Sequence, residues 1–86
     1  MKFRLSNHAK EEMQRRGIPL EFVESVLNSP QQIIEEKSGK KAYQSQIDVG
    51  DGRIFLLRVI VTEDVNPPVV VTTYRTSKID KYWRRV

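Results

Sequence analysis

The 86-residue sequence predicts an α+β domain in which two N-terminal helices pack on one face of a four-stranded antiparallel sheet. Three observations carry this expectation. Apolar residues recur at helical spacing between Leu5 and Leu27. From Gln31 onward the period falls to two and β-branched residues dominate. The breaks between the later segments, at Ser38-Gly39, Asp48 to Gly52 and Asn66-Pro67-Pro68, are short enough to join antiparallel neighbours.

The first helix is set by its ends. Ser6 or Asn7 can accept a hydrogen bond from an orphan N–H, and Gly17 suits the left-handed residue that stops a helix. Leu5, Ala9 and Met13 share its apolar face, while His8, Glu12 and Arg15 form a polar row at the edge. Pro19 opens the second helix, where a missing N–H is harmless, and Asn28-Ser29-Pro30 closes it after Leu20, Val23, Val26 and Leu27. QQIIEEK, KKAYQSQI, RIFLLRVIVTE and VVVTTYRT then read as four strands. In the third of these, Phe55, Leu57, Val59 and Val61 alternate on the face expected to meet the helices. The reverse face carries Arg58 among aliphatic residues, and a guanidinium there must find a partner or an anion. In the last strand Thr72 and Tyr74 share one face, with Val71, Thr73 and Arg75 on the other. The whole chain, 1–86, reads as one domain, with residues 78–86 as a tail or a short helix that packs back.

Composition bounds the function. Fifteen basic residues against 11 acidic give a net charge of +4, which suits a polyanionic partner and is also common among small soluble domains. The absence of cysteine excludes disulfides, thiolate metal sites and thiol nucleophiles. A single histidine argues against an imidazole metal site, and no metal or cofactor is expected. No apolar run approaches the roughly 20 residues of a membrane span. The simplest reading is a soluble cytoplasmic protein with no membrane partner.

HAKEEMQRRGI, PLEFVESVLNSP, a tyrosine-bearing hairpin, an arginine-bearing apolar strand and VVVTTYRTSK, in that order, resemble domain-of-unknown-function family 4258. That bacterial family is grouped with RelE-like and BrnT-like ribonuclease toxins. The resemblance runs from Leu5 to about Tyr82, and its motifs are short. His8-Ala9, Arg16-Gly17-Ile18 and the Thr72-x-Tyr74 pair match the family pattern, whereas Glu12 stands where an arginine is usual. The resemblance implies a RelE-like fold whose second sheet face is free to receive RNA. It also implies a small antitoxin as partner.

Metal-independent RNA cleavage needs a base for the 2′-OH, an acid for the leaving oxygen and cations for the developing phosphorane charge. His8 has the right titration range for proton transfer. Arg16 and Arg58 offer guanidinium forks to phosphate oxygens. Tyr74 can donate a proton or stack on a base, and Thr72 can hydrogen-bond a phosphate. Arg15, Arg75, Lys78 and Lys81 are the expected RNA-binding cations.

Each has a structural alternative. His8 is equally an ordinary residue on a polar helix, and Arg58 can pair with Glu35, Glu36 or Glu63. Arg15 and Arg16 are favourable charges at any helix C-terminus. Thr72 and Tyr74 are good strand formers, and the tail cations can be simply solvated. Two function classes follow. One is a toxin-type endoribonuclease acting on RNA, ribosome-associated mRNA included. The other is a non-catalytic module of the same fold that binds nucleic acid or protein.

Overall fold

The computed structural model describes residues 1–85. It contains, in order, β1 (Arg4–Leu5), α1 (Asn7–Arg16), α2 (Leu20–Asn28), β2 (Gln32–Glu35), β3 (Lys40–Asp48), β4 (Ile54–Thr62), β5 (Val69–Thr76) and α3 (Ile79–Tyr82). The strands form one sheet in the order β1-β5-β4-β3-β2. The β2–β3, β3–β4 and β4–β5 pairs are antiparallel, and β1 runs parallel to β5.

The expected four-stranded antiparallel sheet is therefore incorrect: the sheet has five strands and is mixed. The missed strand is two residues long, too short for any alternation to register. It is held by Arg4 N–H to the Pro68 carbonyl at 2.9 Å and by Ser6 N–H to the Val70 carbonyl at 3.0 Å.

The end of β1 places α1. Ser6 is the N-cap, its Oγ accepting from Ala9 N–H at 3.0 Å and donating to the Val71 carbonyl at 3.0 Å. That carbonyl is available because β5 bulges there: Ile60 pairs with Thr72 and Val61 with Val70, which leaves Val71 without an opposite residue. Gly17 ends the helix with φ of 64°. Its N–H reaches the Gln14 carbonyl at 3.3 Å, and Ile18 N–H reaches Met13 at 2.8 Å, the paired bonds of a Schellman stop.

Ala9, Met13, Ile18, Val23, Val26 and Leu27 bury against Tyr43, Leu57, Val59, Val61 and Val70 in one core. Each fully buried valine, Val23 for example, contributes about 1.5–3 kcal/mol over an exposed one. Tyr43 reaches the edge of this core, where its hydroxyl donates to Glu63.

The reverse face is not open. Ile34, Ala42, Gln44, Leu56, Arg58 and Ile60 are buried on it, and the chain from α3 to Arg84 lies against it. Gln44 Nε2 donates to the Tyr82 carbonyl at 3.2 Å. Gln32 exchanges two bonds with Arg84, its Nε2 donating to the carbonyl at 2.6 Å and its Oε1 accepting from N–H at 3.1 Å. Of the two readings for residues 78–86, a tail or a short helix that packs back, the chain takes the second as far as it is described, and Val86 lies outside the described residues. No helix is long and apolar enough to cross a membrane.

Candidate nucleic-acid interface

Two constellations hold the residues singled out from the sequence, and they lie on opposite faces of the sheet. The first surrounds Arg58, which exposes only 3 % of its surface. Register sets Gln44 opposite it on β3 and Tyr74 opposite it on β5. Arg58 Nε donates to Gln44 Oε1 at 2.8 Å and Nη1 donates to Tyr74 Oη at 2.7 Å. Nη2 lies 3.5 Å from Glu36 Oε2, which resolves the choice among the three candidate carboxylates. Gln44 in turn donates to Gln32 Oε1 at 2.8 Å.

Tyr82 closes this network from above. Its ring centroid lies 4.5 Å from Arg58 Cζ, and it meets Tyr74 edge-on with centroids 6.0 Å apart. Burial pushes the Tyr74 phenol above its ordinary pKa, so it stays protonated at neutral pH. Tyr82 moves the other way, lowered chiefly by the neighbouring Lys81 ammonium. No buried side-chain polar atom among the described residues lacks a partner. Arg58 is a satisfied interior cation, its guanidinium engaged by Gln44, Tyr74 and Glu36.

The second constellation is an open groove where the C-terminal end of α1 meets the end of β5. Arg15, Arg16, Phe55, Arg75, Thr76 and Ser77 line it. Arg75 stands opposite Leu57 in the sheet, and its Cζ lies 5.5 Å from the Phe55 ring centroid. Arg53 approaches the same ring at 5.8 Å. No ion pair among the described residues involves Arg53 or Arg75.

Glu12 orients the two helix arginines. Its carboxylate accepts from Arg15 Nη2 at 2.6 Å and from Arg16 Nε at 2.9 Å, the i+3 and i+4 partners of a helical row. Only 9 % of Glu12 is exposed. Hydrogen bonds from Arg15 and then Arg16 hold its carboxyl at about 2, against an ordinary 4.5. Glu12 therefore fixes two guanidiniums beside the groove and takes up part of their charge.

The remaining sequence candidates distribute as follows. His8 is exposed in the first turn of α1. It shares no hydrogen bond or ion pair with Arg58 or Tyr74 among the described residues. Thr72 is half-buried opposite Ile60, on the Arg58 face. Lys78 is exposed, with its N–H on Thr76 Oγ1 at 3.0 Å, and Lys81 lies 5.2 Å from the Tyr82 ring. The structure thus joins Arg58 to Tyr74, and Arg15 and Arg16 to Arg75, but does not bring His8 to the first pair. Among the described residues no three His, Cys, Asp or Glu side chains gather to hold a metal.

Sequence reasoning missed Phe55, Arg53, Thr76, Ser77, Gln44 and Tyr82 in these roles. The signal for Phe55 was present: alternation puts it on the face of Leu57, one diagonal step from Arg75 once the register is known. Nothing local signalled Tyr82, whose position depends on how the end of the chain folds back.

The chain belongs to the family described as domain of unknown function (DUF4258), whose model matches residues 5–75. No curated protein and no solved structure matches it.

Two outcomes follow from this geometry. Arg58→Met keeps the volume but strips Gln44 Oε1 and Glu36 of their donor, and is expected to cost about 1–3 kcal/mol in urea unfolding; unchanged stability would show the network to be idle. Glu12 has a lowered pKa when folded, so its contribution is full above about pH 4.5 and is lost as pH falls through about 2. Wild type is accordingly expected to exceed Glu12→Gln in stability at pH 7, with the gap closing across that window; a pH-independent gap would contradict the assignment.

Proposed function

We propose that this protein is the RNA-directed, toxin-like component of a bacterial toxin–antitoxin pair, within the RelE-like and BrnT-like ribonuclease grouping. In this reading it engages RNA along the arginine groove and is neutralised by a small partner protein. One observation carries the RNA engagement: Arg15, Arg16 and Arg75 line a single open groove with the hydroxyl-bearing Thr76 and Ser77. Among the described residues, only Glu12 supplies a carboxylate to these guanidiniums. Planar cations beside hydroxyl donors match phosphate oxygens, and affinity built this way falls with salt through counterion release.

Cleavage, in this reading, falls to His8 as the proton carrier, with the groove arginines stabilising the phosphorane. His8 lies on α1 seven and eight residues before Arg15 and Arg16, roughly 10–12 Å along the helix axis. A strand laid along α1 therefore meets both. The 2′-OH proton passes to His8, solvent water protonates the departing 5′-oxygen, and the guanidiniums carry the phosphorane charge, so this step calls on no metal.

A second reading, a non-catalytic RNA-binding module, is favoured by the burial of Arg58. The residue that the sequence nominates as acid, Tyr74, is engaged by Arg58 beneath Tyr82 and is not presented to the groove.

Binding of a fluorescent single-stranded oligoribonucleotide separates these readings. Arg16→Ala and Arg75→Ala are each expected to weaken binding about three- to tenfold at low salt and to reduce the salt slope by about one. In the presence of a chelator, wild type is expected to release 2′,3′-cyclic phosphate ends and His8→Ala to bind without cutting. Binding with no cleavage by wild type selects the module reading. Absence of RNA binding at low ionic strength contradicts both.

A further inference from the structure

The arginine groove borders an apolar cleft. This cleft lies on the far side of Phe55 and Arg75, is narrow, with interior space for about one water, and is lined also by Pro19, Phe22, Ile47 and Val49. The cleft and the groove adjoin across Phe55 and Arg75, which line both, and make up one depression divided by those two side chains. Phe22 is 36 % exposed and Val49 38 % exposed. They come from separate elements, α2 and the turn after β3, so neither is the incidental edge of a single strand.

Phosphates and riboses have no use for an aliphatic floor. A peptide does, because an apolar side chain removed from water contributes about 25 cal/mol for each Å² it buries. The charge on the other half of the depression then selects the rest of that peptide. Arg15, Arg16 and Arg75 stand on that side, and among the described residues only Glu12 pairs a carboxylate with them. At the opposite end Asp48 and Asp51 flank the turn that carries Val49. A partner's acidic residues must therefore fall on the Arg75 side of its anchor and not on the Val49 side.

We propose that this depression docks an acidic protein segment bearing one aromatic or aliphatic anchor, seated against Phe22 and Val49 with its carboxylates on Arg75 and Arg16. The proposal deepens the preceding one, since such a segment would occupy the arginines assigned there to RNA and would exclude it. Repression by occupancy follows directly: protein and RNA compete for the same guanidiniums, while only the protein uses the cleft.

The test uses two synthetic peptides, six glutamates following either a phenylalanine or a glycine, and an oligouridylate as the RNA. Wild type is expected to bind the phenylalanine peptide about five- to tenfold more tightly than the glycine peptide, and to release oligouridylate as the peptide binds. Phe22→Ala and Val49→Ser should each abolish the preference while leaving RNA affinity unchanged. Arg75→Ala should weaken both peptides. The second cleft variant is on a surface turn, so a folding defect in Phe22→Ala does not decide the outcome.

Equal binding of the two peptides by wild type would overturn the proposal, as would a preference that survives both cleft variants. A loss of RNA affinity in both cleft variants would overturn it too, assigning the cleft to RNA instead. If wild type shows the anchor preference but binds no oligouridylate, the docking site stands and the RNA reading fails, so the two are separately decided.

Discussion

A guanidinium in the middle of a strand constrains everything built around it. Arg58 sits at the centre of β4 with almost no solvent contact, and removing its charge from water is tolerable only because each group it meets is polar and correctly placed. Gln44, Tyr74 and Glu36 provide that environment from β3, β5 and the turn after β2. Tyr82 completes it by folding the end of the chain across the sheet. The requirement reaches from one residue to four other segments, and together with buried Ile34, Ala42, Leu56 and Ile60 it explains why the face opposite the helices is covered.

The same constraint relocates the functional surface. With Arg58 and Tyr74 committed to each other, the proposed RNA contact falls to the cations that α1 and β5 bring to the groove. Their geometry depends on the two-residue strand β1. By pairing with Val69 and Val70 it starts α1 beside the bulge in β5, and the Ser6 hydroxyl bridges the two elements. Ten residues later the helix delivers Arg15 and Arg16 to the level of Arg75. Glu12 has a double effect there. It orders both side chains, lowering the entropy lost on binding an anion, and it takes up part of the charge that would attract one.

Much of this architecture can be read from single residues. The Ser6 cap, the Gly17 stop, the four longer strands and the placing of Leu57, Val59 and Val61 towards the helices all follow from local pattern. The need for an Arg58 partner also follows from local pattern, although its identity depends on register. What escaped were features that exist only through tertiary contact. β1 is too short to carry a period, and its parallel pairing joins residues more than sixty positions apart. Tyr82 is a stacking partner only because the chain returns over the sheet. The groove escaped for a related reason: Arg15, Phe55 and Arg75 lie far apart in sequence, and no spacing rule links them. Matching motifs nominate His8, Arg58 and Tyr74 for one reaction, but they carry no information about which side of the sheet each one occupies.

Mapping backbone amide chemical shifts during titration with a single-stranded oligoribonucleotide tests the central claim most directly, because it reads the contact surface without altering a residue. The account predicts perturbations concentrated at Arg15, Arg16, Phe55 and Arg75 to Ser77, extending along α1 towards His8, with Gln44, Arg58 and Tyr82 unmoved. Perturbations centred on Arg58, Tyr74 and Tyr82, with the groove silent, would contradict it.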